Sequence, residues 1–303
     1  MATAVAGAGT PQVEWDVIEQ VGLWSDAWQR FRRNRLATAG LAVVLLFIVV
    51  AILAPLLTKI HVIADPYAQN VVNQLAAPGR QNLLGTDILG RDELARLLYG
   101  SQISLAVGIL AQFLVLVIGG TIGMAAGYFG GRIDNLLMRF TDIMYAFPDL
   151  LLVLIFVAAF GGSLQTIFIA IGLVSWVGLA RLVRGQVLSI KEKEYVEAAL
   201  AAGTSPIRII LKHLMPNSLG PVIVTLTFGI PAAIFTEAVL DFLGVGLQPP
   251  IASWGVMVND GYEYIFADPL LVIAPGIAIA FLMLSFTFIG DGLRDALDPR
   301  MRR

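Results

Sequence analysis

The chain has 303 residues, 57% of them hydrophobic and only 14% charged, with a formal net charge of −2. A soluble protein carries about 25% charged residues, so this composition, with a mean hydropathy of +0.80, excludes an ordinary soluble domain and indicates a polytopic membrane protein. The charge balance argues against a nucleic-acid partner, and the absence of cysteine removes disulfides, thiolate metal sites and cysteine nucleophiles.

The first thirty residues hold Glu14, Asp16, Glu19 and Asp26, where a secretory signal would place its apolar core. Val17, Ile18, Val21, Trp24, Trp28 and Phe31 recur at helical spacing with polar residues between them. That pattern predicts an amphipathic helix in the membrane interface, after a flexible tail over residues 1–12. Six apolar segments follow that meet or approach the roughly 20 residues a membrane crossing needs. They are Leu36–Leu57, Ile103–Ala126, Ile143–Phe160, Leu164–Ala180, Leu219–Leu240 and Leu270–Ile289. The fold expected is an all-α integral membrane protein of six transmembrane helices preceded by an N-terminal interfacial amphipathic helix. Its parts are a tail and interfacial helix (1–35), the first span with an exterior loop (36–100), and a five-helix core (101–303) containing a loop at 190–216.

Lysine and arginine set the orientation. One side carries sixteen: Arg30, Arg32, Arg33 and Arg35 before the first span, Arg132 and Arg139 between the second and third, Arg181, Arg184, Lys191, Lys193, Arg208 and Lys212 between the fourth and fifth, and Arg294, Arg300, Arg302 and Arg303 after the sixth. The other side carries four, Lys59, Arg80, Arg91 and Arg96. Both termini and the 190–216 loop are therefore expected in the cytoplasm.

That loop is polar, basic and helix-forming. Lys191–Ala202 is rich in Glu, Lys and Ala. Gly203 permits a sharp turn, Thr204 or Ser205 can cap a second helix with Pro206 at its first position, and Pro216 is expected to stop that helix before the fifth span. The loop reads either as a docking knob with small alanines that allow close approach, or as a solvated connector. Gly119, Gly123 and Gly127 repeat every four residues along the second span, a signal for close helix packing. Gly85–Asp92 lacks the Gly-Lys-Ser/Thr ending of a phosphate loop and reads as an ordered exterior turn.

Glu197-Ala198-Ala199, then Gly203, then Leu214-Met215-Pro216 resembles the EAA loop of ABC importer permeases. Leu84-Gly85-Thr86-Asp87, Gly90-Arg91-Asp92 and Leu97-Leu98-Tyr99-Gly100 resemble the segment before the second span in the C-type subunit of dipeptide, oligopeptide and nickel permeases. Gly127-Tyr128-Phe129-Gly130-Gly131 with Asp134, Met138-Arg139 and Asp142, Phe242-Leu243-Gly244-Val245-Gly246 with Gln248-Pro249-Pro250 and Trp254-Gly255, and Gly290-Asp291-Gly292-Leu293-Arg294-Asp295 with Leu297-Asp298-Pro299 are similar to later segments of the same subunit. His213 stands where the general family often has Ile, a departure shared by the peptide-type members. Asp241 stands where a small polar residue is expected.

The resemblance implies a permease subunit of an ATP-driven, binding-protein-dependent importer, most often of peptides, in a bacterial inner membrane. It implies a second homologous permease subunit, cytoplasmic ATPase subunits that bind ATP and Mg, an exterior solute-binding protein, and no cofactor or catalytic residue in this chain. It places ATPase coupling on Tyr195, Glu197, Ala198, Ala199, Gly203, Pro206 and Arg208. Ionisable residues inside spans are costly, so Asp149 and Glu237 are candidates to line the translocation pathway, with satisfied structural contacts as the alternative. Arg139 and Asp142 are spaced to pair on one helix face.

Two rival classes stand beside this reading. An ion-coupled carrier is expected to show internal repeats and paired broken helices, and no convincing repeat is visible. An intramembrane enzyme needs a nucleophile–base or metal constellation, whereas His61 and His213 are the only histidines. No metal site is expected.

Overall fold

A computed structural model describes residues 23–298; the expected tail, Val17, Ile18 and Val21 of the interfacial helix, and Arg300, Arg302 and Arg303 lie outside them. Among the described residues the chain is helical with no strand. The long helices are α2 (Arg35–Lys59), α3 (Glu93–Phe129), α6 (Leu164–Lys191), α9 (Met215–Phe242) and α11 (Leu270–Leu297). Between and before them lie α1 (Leu23–Arg33), α4 (Gly131–Tyr145), α5 (Asp149–Phe160), α7 (Glu194–Ala201), α8 (Pro206–Ile209) and α10 (Trp254–Tyr262).

Among the described residues, five helical stretches are long and apolar enough to cross a membrane: α2, α3, α6, α11 and the continuous stretch Pro206–Phe242 that contains α9. The expected span Ile143–Phe160 is not one straight helix. It is divided between α4 and α5, which meet at 81°. Pro148 causes the break: it lacks an N–H and disfavours helical backbone at Phe147, and it serves as N-cap of α5. With 12 residues, α5 rises only about 18 Å, short of the roughly 30 Å of a bilayer core. The third apolar segment thus belongs to a bent pair.

Helix α3 is the axis of the molecule. Its glycine stripe lies against α6, as the four-residue spacing predicts. A Cβ on Gly119 would stand 2.7 Å from the Trp176 carbonyl, and one on Gly127 would stand 2.7 Å from Val187 Cβ. Gly123 meets the Ala180 carbonyl at the same seam. Without Cβ atoms the two backbones approach closely and gain dispersion contacts, the main attraction between helices in lipid.

Four apolar clusters lie among the described residues, and the three largest hold the bundle. One joins Phe31, Ala37 and Val44 to Trp254, Leu282 and Phe286. Another joins Val107 and Ala111 of α3 to Val153 and Val157 of α5, Ile167 and Ile171 of α6, and Leu240 of α9. The third joins Val183 and Val187 to Val196, Ile209 and Leu214, and so roots the 190–216 loop in the bundle.

One carbonyl freed by a proline is met by a side chain. Pro55 lies inside α2 and leaves the Ala51 carbonyl without its usual donor; Gln102 Nε2 of α3 donates to that oxygen at 2.7 Å. Asn34 separates α1 from α2 by capping the latter, accepting from Leu36 N at 3.1 Å and Ala37 N at 3.2 Å.

Candidate functional site

The 190–216 loop is a helical hairpin. Helix α7 ends in a Schellman arrangement, with Gly203 N donating to the Leu200 carbonyl and Thr204 N to the Ala199 carbonyl, 3.0 and 3.1 Å. Gly203 has φ +75°, and a Cβ there would meet nothing within 4 Å. The glycine is required by backbone conformation and not by crowding. Ser205 precedes α8 as N-cap without a side-chain cap bond, and Pro206 occupies the first position.

Pro216 does not stop the second helix. Helix α8 runs into a π-helical turn, Ile210–Leu214, and on into α9, with Pro216 in the first turn of α9. The wider turn, in which Met215 N donates to the Ile210 carbonyl, places a break in hydrogen-bond register where the hairpin joins its span. Asn217 Nδ2 donates to the His213 carbonyl at 2.6 Å in the same stretch. The His213 ring lies 5.9 Å from that of Tyr195, clipping the second arm to the first.

The two faces of the hairpin differ sharply. Val196, Ile209 and Leu214 have no exposed surface. Tyr195, Glu197, Ala198, Gly203, Pro206 and Arg208 are exposed, and Ala199 is half-buried. The projecting face also carries Leu200, Ile207 and Leu211, the second 71% exposed, which sequence reasoning did not single out. Their signal was their mismatch with the buried positions of the same short helices.

The hairpin end of the bundle is tied by ion pairs between α4 and α6. Arg184 holds both oxygens of Asp134, at 2.5 and 2.6 Å, a bidentate geometry. Arg181 pairs with Asp142 at 2.8 Å and lies 4.4 Å over the Tyr145 ring. The expected Arg139–Asp142 pair is therefore not formed: Asp142 is turned toward α6, and Arg139 is exposed. Lys191 Nζ donates to the Tyr128 carbonyl at 2.7 Å, which fixes α6 to the end of α3 beside the Gly130–Gly131 turn.

At the opposite end, the motifs before the second span and after the fifth converge. Asp87 accepts from Leu89 N and Arg91 N, each 2.8 Å, and from Arg91 Nε at 2.5 Å. Arg91 and Arg96 both reach Asp260 of α10, at 2.9 and 3.1 Å. Arg96 is fully buried; its Nε lies 3.7 Å from Asp87, beyond hydrogen-bond reach. Asp92 caps α3 through Ala95 N at 2.7 Å and receives Asn82 Nδ2 at 2.7 Å. Trp254 donates to the Leu97 carbonyl at 2.9 Å, and its ring fills the space left by Gly100.

Asp241 now has a reason. It accepts from Leu247 N at 2.6 Å and from Ser253 Oγ, and so ties the 243–253 loop to α9. Gly246 and Gly255 both pack directly on it. The two pathway candidates are not brought together. Asp149 is exposed at the start of α5, whereas Glu237 has no exposed surface and accepts from Ser104 of α3 at 3.2 Å.

Residues 119–303 match the family described as binding-protein-dependent transport system inner membrane component, and residues 22–78 match the N-terminal TM domain of oligopeptide transport permease C. The chain is 45% identical over 279 residues to the dipeptide transport system permease protein DppC of Bacillus subtilis (strain 168), covering 92% of this chain and 86% of that one. It is 42% identical over 294 residues to the oligopeptide transport system permease protein OppC of Haemophilus influenzae (strain ATCC 51907 / DSM 11121 / KW20 / Rd), covering 96% and 93%. Among solved structures, the inward-facing MetNI methionine ABC transporter is similar with a TM-score of 0.51 at 20% identity, over 67% of this chain and 96% of that one, a likeness of fold. The hairpin, the convergent motifs and this similarity along nearly the whole chain agree, and the chain belongs to the binding-protein-dependent inner-membrane permeases, in the branch that carries the N-terminal domain of oligopeptide transport permease C.

Proposed function

We propose that this chain is one half of a peptide-importing pathway, paired with a second homologous permease subunit and driven by cytoplasmic ATPase subunits that grip the hairpin at Tyr195–Arg208. The ATPases bind ATP and Mg; an exterior solute-binding protein delivers cargo to the face that carries the Asp87–Arg91–Asp260 cluster. Both termini lie in the cytoplasm of a bacterial cell, beneath its inner membrane. The observation that supports this reading best is the two-faced hairpin. Its inner residues are rooted in the bundle, while a rim of exposed apolar and charged side chains projects outward, a surface suited to a protein partner. A push on this lever reaches α9 through the π-helical turn and α6 through Lys191, biasing a bundle between two arrangements.

Reconstitution tests it. Purified alone in liposomes, the chain is expected neither to hydrolyse ATP nor to take up a labelled peptide. With its permease mate, ATPases and binding protein it is expected to do both, with uptake stopping when ATP is withheld. Peptide uptake by the isolated chain under an ion gradient alone would contradict the proposal.

A further inference from the structure

Four arginines fall within six residues where α1 meets α2: Arg30, Arg32, Arg33 and Arg35. Arg30 is neutralised by Asp26, one helical turn earlier, at 2.8 Å. Arg32, Arg33 and Arg35 are exposed and, among the described residues, make no ion pair.

Their position is set by the helix that follows. Arg35 is the first residue of α2, which has 25 residues and so rises about 37 Å, more than the roughly 30 Å of hydrocarbon. Its first turn therefore stands at headgroup depth. Trp28, 53% exposed, stacks on Phe31 at 5.8 Å, and Leu36 is 60% exposed just beyond Arg35. An indole and an aliphatic side chain beside arginines at a span end form an interfacial anchor. A hollow of about 490 Å³ between α1 and the end of α11 adds Gln29, Arg33 and Asn34 as donors, with Asp295 across it and the Asp26–Arg30 pair on its wall. Counting Asp295 against the three arginines still leaves the patch positive among the described residues.

We propose that Arg32, Arg33 and Arg35 bind the phosphates of anionic phospholipids and hold α1 to the bilayer surface. The mixture of exposed apolar and cationic side chains at one depth favours a lipid over the acidic surface of an ATPase subunit. On the orientation proposed above, the lipid belongs to the cytoplasmic leaflet; the binding itself does not depend on that orientation.

The test uses the chain assembled with its companion subunits in bilayer discs of equal parts phosphatidylcholine and phosphatidylglycerol. Lipid retained after extraction in mild detergent is counted by native mass spectrometry. The wild type is expected to retain phosphatidylglycerol preferentially, less so as salt rises. Each arginine near the surface contributes about fivefold to such a preference, so Arg32→Gln, Arg33→Gln and Arg35→Gln combined should lower it at least roughly tenfold. The corresponding triple lysine variant should keep most of it, because the attraction is to charge. Arg132→Gln with Arg139→Gln, removing two exposed arginines on α4 away from the patch, should lower it far less than the triple glutamine variant does. A wild type with no preference, or with one insensitive to salt, overturns the proposal even if the glutamine variant cannot be produced. So does a glutamine variant that behaves like the α4 control, or one that keeps phosphatidylglycerol but sheds the ATPases.

Discussion

Gly203 shows how one residue can set the angle of a projecting hairpin without touching the membrane bundle. Its φ of +75° lies in the left-handed region, and open space surrounds the position where a Cβ would stand. A β-branched residue there resists the conformation by about 1–2 kcal/mol and tilts α8 relative to α7. Val196, Ile209 and Leu214 remain anchored in the bundle, so insertion should survive. Gly203→Val is expected to reach the membrane at normal levels, to lose most ATPase co-purification and to transport poorly; wild-type transport by this variant would make the hairpin a passive connector. Glu197→Lys, which reverses an exposed charge on the same face, should weaken ATPase association without altering the turn. Asp241 makes a different point at the same scale. It looks out of place in an apolar segment, yet its two donors come from a loop and a helix start six and twelve residues onward, partners that no local pattern announces.

At the scale of elements, the short helices decide how the long ones meet. Helix α10 is fastened to the start of α3 by Asp260, which receives Arg91 and Arg96, and by Trp254 seated over Gly100. Arg96 has no exposed surface, so removing its partner's charge leaves a buried cation short of acceptors. Asp260→Asn is expected to destabilise the purified protein by about 2–3 kcal/mol, read as a lower midpoint of thermal unfolding in detergent, with Asp260→Glu recovering part of the loss. An unchanged midpoint for the asparagine variant would mean that α10 is held by Trp254 and the apolar contacts alone. At the other end the bent α4–α5 pair is fixed by Arg181 and Arg184. The hairpin is thus continuous with two spans: one arm runs into α9 through the π-turn, and the other continues from α6, which carries those two arginines.

For the whole molecule, the lysine and arginine asymmetry and the arrangement of ends make one joint prediction. The hairpin and the Asp87–Asp260 cluster lie at opposite ends of the bundle, joined by the length of α9. Single cysteines at Ser205, exposed at the hairpin tip, and at Val72, 93% exposed on the loop before α3, should react with a membrane-impermeant maleimide from opposite faces of intact cells and inverted vesicles. The chain has no cysteine of its own, so the labelling is unambiguous. Ser253 would be a poor reporter, since it is buried and caps α10. Labelling of both positions from outside intact cells would overturn the proposed orientation.

The long helices, the glycine seam and the turn at Gly203 were legible in the amino-acid order, because each follows from local periodicity or from a backbone conformation that one residue type adopts readily. Hydrophobic length predicts a span, four-residue spacing predicts a helix face, and glycine before Ser-Pro predicts the turn. The tertiary structure alone decided which ionic partners meet across elements. Asp142 turns to Arg181 on α6 and not to Arg139 on its own helix, and Arg91 and Arg96 find an aspartate more than 160 residues away. It also decided that Pro148 bends its segment by 81° whereas Pro216 merely opens α9. A proline's effect depends on whether neighbouring groups can take over the freed carbonyl and whether packing on either side holds the two halves in line. Local sequence carries the missing N–H; only the packed bundle determines whether the helix continues beyond it.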